Sequence, residues 1–462
     1  MTEQLKLKLN DSKATRWGAL VIVAFTMMAA YYVNDVVAPL KTMLETDLAW
    51  SSTDFGFFTG GYSFLNVFFL MLIWGGLILD RFGIRFTGKL ATILMVGGTA
   101  LEYYAMTGLA GADATLFGIN EIFGYKTGVF VAFAGYSIFG VGAEVAGITV
   151  SKIIAKWFKG KELATAMGVQ VALARIGSQA GYAVAIPLAR AFGISTPVLL
   201  GLVLLLGGMI AFFIFAVMDK KLDKQRWKAI AAGTEDEEEK FSFKDVKNIL
   251  VNPGFWLIAL LCVLFYSCVF PFQKFASELM IIKYGINENV AGTFAGLPAL
   301  GALILTPVFG GFIDKRGKSA SIMLLGSAML ICVHFIYAIP DINYWLVAIV
   351  LMIILGIAFS LVPSAMWPAV AKIFPVSQLG TAYALIFFIQ NIGLWGIPTL
   401  IGWVLDAYCI SGKKPDGTNM YDYTVPMCIF TGIACLSLIV ALLLKKADKK
   451  YGYKLEEPNI QK

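Results

Sequence analysis

Mostly apolar stretches of about 20 residues or more recur along the whole chain, separated by short connections that carry most of its charge. At 1.5 Å per residue, one such stretch crosses a hydrocarbon core of about 30 Å as a helix. No water is present at that depth to hydrogen-bond the backbone, so a crossing segment must satisfy its own N–H and C=O groups, and helices follow. The pattern places twelve spans, at 17–41, 53–79, 86–109, 128–157, 161–189, 194–219, 253–283, 287–313, 317–339, 343–372, 377–405 and 422–444. The expected fold is an all-α membrane protein of twelve transmembrane helices. A mean hydropathy of +0.76 with only 15% charged residues excludes a soluble domain folded around one core. The 46 glycines suit helices that approach closely in lipid. Residues 1–16 are polar and no cleavage site follows the first span, which therefore reads as a retained helix.

The basic residues set the orientation. The great majority of the 37 Lys and Arg fall in the N-terminal tail, the even-to-odd connections and the C-terminal tail, which places both termini in the cytoplasm. They are dispersed between apolar runs rather than gathered on one compact face, so the net charge of +7 is no sign of nucleic-acid binding. The expected organisation is a cytoplasmic tail at 1–16, a six-helix bundle at 17–219, a cytoplasmic linker at 220–252, a second bundle at 253–444 and a cytoplasmic tail at 445–462. The linker carries a basic cluster and then the acidic run Glu235 to Glu239. The six cysteines show no CxxC pair and no cluster with the single His334, and read as reduced packing residues.

The two bundles repeat one another. Gly76-Leu-Ile-Leu-Asp80-Arg81-Phe-Gly83-Ile-Arg85 between spans two and three returns as Gly311-Phe-Ile-Asp314-Lys315-Arg316-Gly317-Lys318 between spans eight and nine. Leu163-Ala-Thr-Ala-Met-Gly168 likewise answers Leu379-Gly-Thr-Ala-Tyr-Ala384, and Arg175-Ile-Gly177 answers Asn391-Ile-Gly393. The difference in offset places an insertion in the outer loop at 110–127. Two homologous six-helix halves imply a substrate path along a pseudo-symmetry axis, with access alternating as one bundle rocks against the other. In that cycle Asp80, Arg81, Arg85, Asp314, Lys315 and Arg316 form a candidate cytoplasmic latch: the carboxylates cap a helix N-terminus while the cations bridge to the other bundle. A tight turn with cytoplasmic cations is the alternative.

The Gly-x-x-x-Asp-Arg-x-Gly-x-Arg turn, its second copy and the twelve-span plan resemble the major facilitator superfamily over essentially the whole chain. A narrower resemblance rests on Tyr62-Ser-x-x-Asn66, Gly140-Val-Gly-Ala-Glu144, Trp157-Phe-Lys-Gly-Lys-Glu-Leu163 and Leu173-Ala-Arg175-Ile-Gly-Ser178. It continues in Pro307-Val-Phe-Gly, Met366-Trp367-Pro368, Gln378-Leu-Gly-Thr-Ala-Tyr383 and Ile389-Gln390-Asn391-Ile-Gly393. Together these are similar to the branch of animal lysosomal dipeptide uniporters. That resemblance implies movement of dipeptides, cationic ones preferred, through a cavity lined by an acidic residue, an arginine and a tryptophan, here Glu144, Arg175 and Trp367. The chain departs from the animal pattern at 110–127 and in the tenth helix, which leaves any accessory subunit unassigned. No outer loop contains an Asn-x-Ser/Thr acceptor, and a prokaryotic plasma membrane is the expected location.

Glu144 and Arg175 fall near mid-membrane on adjacent spans. A charge there costs at least about 2.5 kcal/mol on insertion scales, so both must face the protein interior or an aqueous cavity. Their repeat mates are Ser360 and Asn391, which places charge in one half only. A zwitterion complements this pair, because Arg grips a carboxylate in two places and Glu accepts from an amine. An ion pair between neighbouring helices is the competing reading. Trp367 sits between Pro363 and Pro368, where a kink is expected. Gln390 and Asn391 offer neutral hydrogen bonds at the depth of Arg175. Tyr62 and Asn66 in span two join the candidate binding set, and Tyr31, Tyr32, Asn34 and Asp35 are candidates for an outer vestibule. Glu102 and His334 also lie toward the outer side.

The functional expectation is an ATP-independent carrier of dipeptides, since no phosphate-binding loop or cytoplasmic catalytic domain is present. A proton-coupled symporter of organic anions using Arg175 as a carboxylate clamp is the alternative within transport. A non-transporting receptor or scaffold is the alternative outside it. No catalytic arrangement, cofactor or metal is expected. The partners are a small solute and the lipid bilayer, and the expected assembly is a monomer or homodimer.

Overall fold

The computed structural model describes residues 9–111, 114–158, 161–231 and 244–458. The chain begins with α1 (Lys13–Val36), started by Ser12, whose hydroxyl accepts from the Thr15 amide. A 3-10 turn at Ala38–Leu40 containing Pro39 leads into α2 (Lys41–Leu48). Next, α3 (Ser52–Phe68) opens on a reciprocal capping box between Ser51 and Asp54. The second expected span does not continue straight. At Leu70 the backbone turns left-handed (φ 53°) and α4 (Met71–Ala105) leaves at 58° to α3. It turns again at Gly83 (φ 75°), where the third span begins. Gly317, its partner in the repeat, has φ 71°. Glycine has no Cβ to penalise that region, so both copies can reverse the chain at the same point.

The first half is completed by α5 (Thr127–Phe158), α6 (Leu163–Phe192) and α7 (Thr196–Ala231). A short helix, α8 (Lys244–Val251), precedes α9 (Pro253–Tyr284), which starts on an Asn252 cap and Pro253. The eighth span is divided at Gly296 into α10 (Glu288–Ala295) and α11 (Leu297–Arg316), with Pro298 opening the second piece. Then follow α12 (Ser319–Ala338), α13 (Trp345–Ile373), α14 (Val376–Tyr408) and α15 (Thr424–Tyr451). The helix α13 is continuous through Pro363 and Pro368; the breaks occur at Leu70, Gly83 and Gly296 instead. Nine helices among the described residues are long and apolar enough to cross a membrane singly, and the bent α3–α4 pair adds to them. With α3 and the two arms of α4 as spans two and three, and α6 as span five, the arrangement is consistent with the expected twelve.

Two small hairpins decorate one side. In the loop at 110–127, β1 (Glu121–Ile122) pairs with β2 (Tyr125–Lys126), and β3 (Ile410–Lys413) pairs with β4 (Asn419–Tyr421) before α15. The side bearing the hairpins is the distal face. The opposite, proximal face carries the turn at Asp80 to Arg85, its repeat, and both described ends of the chain.

Within the first half α1 packs on α6 and α7, and α4 on α5 and α7. In the second, α12 packs on α13 and α15, and α9 on α14 and α15. The halves meet where α3 lies along α14 and where α6 lies against α10 and α11. The α3–α14 seam is built from small residues: a Cβ on Gly56 would stand 3.0 Å from the Gly402 Cα, and one on Gly60 would stand 2.7 Å from the Trp395 carbonyl oxygen. Close backbone approach of this kind maximises dispersion contact where lipid supplies no hydrophobic drive.

The segment after α15 folds back along the proximal face. Leu455 is fully buried, the Glu456 carboxylate accepts from the Ser321 amide and hydroxyl at 2.8 and 2.9 Å, and Lys372 donates to the Lys454 and Glu457 carbonyls. Glu456 therefore supplies an acceptor to the first turn of α12, which has no side-chain cap of its own.

Candidate functional site

Glu144 lies along α5, half-buried, and accepts a hydrogen bond from the Tyr62 hydroxyl of α3 at 3.1 Å. The two helices can approach because Gly140, one turn before Glu144, lies against the Tyr62 backbone, where a Cβ would stand 3.0 Å from the Tyr62 Cα. Arg175 on α6 has no carboxylate partner among the described residues. Its guanidinium lies over the Phe359 ring of α13 at 4.8 Å and the Tyr31 ring of α1 at 5.5 Å. Aromatic faces steady a guanidinium without using its in-plane N–H groups, which stay available to a planar anion. An ion pair between Glu144 and Arg175 is not formed here, although Tyr31 lies within electrostatic reach of both.

An aromatic path joins Arg175 to Trp367. Phe359 stands 6.2 Å from Tyr266 of α9, and Tyr266 stands 6.5 Å from Trp367. Trp367 further contacts Phe387 at 4.9 Å and Tyr383 at 5.8 Å, and the Tyr383 hydroxyl donates to the Trp367 carbonyl. Gln390 accepts from the Cys262 thiol, and the Asn391 amide donates to the Phe387 carbonyl. The Oδ1 of Asn391 and both amide atoms of Asn66 are buried without a hydrogen-bond partner. Each such group costs on the order of 1–3 kcal/mol, which a hydrogen-bonding ligand removes. Ser360, the repeat mate of Glu144, spends its hydroxyl on the Gly356 carbonyl within its own helix. His334 is fully buried between Phe272 and Phe430 with Nε2 at 3.0 Å from the Cys268 carbonyl oxygen. No group of side chains suited to hold a metal occurs among the described residues.

The family model of the Major Facilitator Superfamily matches residues 20–397 and 275–457. The chain belongs to that superfamily. Among curated proteins it is 30% identical to the human lysosomal dipeptide transporter MFSD1 over 95% of this chain and 88% of that one. It is 27% identical to the zebrafish (Danio rerio) protein of the same name over 93% and 86%. Among solved structures it is similar to a D-xylose-proton symporter (TM-score 0.67, 14% identity, 93% of this chain and 97% of that one). It is also similar to a bacterial homologue of the human lysosomal transporter Spinster (TM-score 0.63, 14% identity, 98% and 99%). The chain is thus a multi-pass membrane transporter of the superfamily and not an enzyme. The expectation of a prokaryotic plasma membrane draws no support from relatives whose names place them in lysosomes.

The superfamily turn and its repeat lie on the proximal face, but among the described residues no ion pair joins their cations to the other half. Asp80 takes Lys152 of α5 at 2.8 Å, and Arg85 takes Asp223 of α7 at 3.1 Å, all within the first half. Arg81 lies over Phe82 and Arg316 over Phe312, while Lys315 is exposed. Asp314 is half-buried at the end of α11.

Sequence reasoning missed the distal polar network. Lys41 of α2, 1% exposed, binds Glu45 at 2.5 Å and Glu278 of α9 at 2.6 Å. Tyr423 also donates to Glu278, and Lys414 approaches both carboxylates at 3.6 Å. Asp406 of α14 accepts from the Ser52 and Thr53 amides at the start of α3. A signal was present, since Lys41 with Glu45 and Lys274 with Glu278 are charged pairs at i,i+4 inside or beside apolar spans.

Proposed function

We propose that the chain is a secondary transporter of dipeptides that works by alternating access, with its proximal face in the cytoplasm. The 30% identity to a transporter named for dipeptides, sustained over 95% of the chain, is the observation that carries this reading. The site chemistry supports it. Arg175 offers an unpaired guanidinium to a C-terminal carboxylate, Glu144 offers a carboxylate to an ammonium, and Phe359, Tyr266 and Trp367 offer aromatic surface leading away from Arg175. Asn66, Tyr62, Gln390 and Asn391 add neutral hydrogen bonding for the peptide unit.

Among pairs of described residues, the hydrogen bonds and ion pairs that join the two halves all belong to the distal side, including Lys41 with Glu278, Asp406 with Ser52 and Thr53, Lys274 with Asp35, and Arg190 with Glu288. That pattern fits a state closed on its distal side which, in an alternating-access cycle, is the one open toward the cytoplasm. The test is counterflow of labelled lysyl-alanine in proteoliposomes. Saturable exchange by the wild type, abolished in Arg175→Ala with the protein still folded, is the expected result. No exchange by folded, inserted protein would overturn the dipeptide assignment, and exchange unaffected by Arg175→Ala would overturn the site.

A further inference from the structure

Lys274 belongs to α9 in the second half, yet its ammonium is held by the first. Its Nζ donates to the Asn34 carbonyl at 2.5 Å, to Asp35 Oδ1 at 3.3 Å and to the Tyr136 hydroxyl at 3.4 Å. Glu102 on α4 is fully buried, with neither carboxylate oxygen hydrogen-bonded, and lies within electrostatic reach of both Lys274 and Tyr136. Tyr182 of α6 is within reach of Asp35. The wall formed by α1, α4 and α5 therefore presents two carboxyl groups, a carbonyl and a phenol to one cation, and that cation comes from the other half.

A transporter that opens its distal face by separating the halves must withdraw Lys274 from this wall. Asp35 would be left buried without its cation, beside a Glu102 carboxyl that already lacks a hydrogen-bond partner, an arrangement costlier than the filled one. On the alternating-access reading above, we infer that this first-half pocket is a binding site for a primary ammonium group. Lys274 fills it when the distal face is closed. The ammonium of an incoming cationic substrate fills it when the face is open, ahead of the central site at Glu144 and Arg175. Substrate and lysine thus compete for one place, and a cationic solute favours the open face by replacing the charge that opening removes.

The pocket is tested apart from transport with full-length Lys274→Ala in detergent, or Lys274→Ser if the first fails to fold. n-Butylammonium, which matches the lysine side chain, should raise the unfolding temperature of the variant by several degrees, whereas tetramethylammonium at equal ionic strength should not. The gain should vanish in Lys274→Ala combined with Glu102→Gln and be absent from the wild type. Equal responses to the two amines, or a gain that survives Glu102→Gln, would overturn the site. In vesicles with the distal face outward, Glu102→Gln or Asp35→Asn should raise the ratio of the lysyl-alanine KM to the alanyl-alanine KM about tenfold, as expected for a lost charge-assisted bond. An unchanged ratio, with or without a displaced pH profile, would overturn the role in substrate capture. If the wild type moves neither dipeptide, the substrate reading fails while the amine response still decides the pocket.

Discussion

Lys41 and Arg85 each hold two carboxylates, in opposite settings. Lys41 is buried on the distal side and one of its partners, Glu278, lies in the other half. Arg85 is 38% exposed on the proximal side, and both of its partners, Asp219 and Asp223, lie on α7 in its own half. A buried bridge between bodies resists their separation strongly, because breaking it strands charge away from water. Asp219 is itself fully buried, but the Arg85–Asp223 contact is open to solvent and screened, and because both partners belong to one body it leaves that body free to move as a unit. In the proposed cycle, the distal bonds would govern whether the halves part and the proximal bonds how rigid the first half stays.

The comparison breaks most directly at Lys41. Lys41→Met leaves Glu45 and Glu278 buried with the more distant Lys414 and the Ser52 and Tyr423 hydroxyls as partners, and should destabilise the distally closed state by about 3 kcal/mol. Thermal unfolding should fall by several degrees, and an unchanged unfolding temperature would remove the distal bridge from the argument. Asp406→Ala strips the start of α3 of its partner from α14 and should cost about 1–2 kcal/mol, as for loss of an N-terminal cap, read in the same assay. Asp80→Asn, at an exposed pair within one half, should change stability by less than about 1 kcal/mol. A larger loss would mean that the proximal pairs also hold the halves together.

The smallest effect concerns pH at the proximal face. Hydrogen bonds from Arg16 hold the Glu162 carboxyl below its ordinary range. A depressed carboxylate contributes stability above its unfolded pKa, and that contribution is lost as pH falls through the folded value. Arg16→Gln should therefore flatten stability against pH only on the acid side of the carboxylate range, while unfolding near neutrality keeps the same pH dependence. Titration followed by thermal unfolding distinguishes the two regions.

Span placement was legible because apolar length is a local property that lipid reads directly. The internal repeat was legible because the turn at Asp80 and its copy at Asp314 share a spacing that ends on a left-handed glycine, Gly83 or Gly317. The bend at Leu70 was not, since a leucine in that conformation carries no signal in an apolar run; tertiary packing imposes it. The prolines of α13 lie inside a helix that runs on without a break. At the site, Glu144, Arg175 and Trp367 were conspicuous as costly or bulky groups in lipid. Tyr266 and Phe359, which connect them, look like any membrane aromatic. Lys41 and Glu278 stayed hidden because their partnership spans 237 residues, and no periodicity reports a pairing across two bundles.

The glycine seam between α3 and α14 carries a mechanical consequence. Where large side chains interlock, parting two helices means lifting each knob from its socket against many contacts at once. At Gly56 and Gly402 backbone lies on backbone with no such teeth. The surfaces there can slide or tilt by small steps, each exchanging one set of dispersion contacts for a nearly equivalent set. In the proposed cycle the seam would act as a plain bearing, with friction low along its length, and the charged residues at its distal end as the catch.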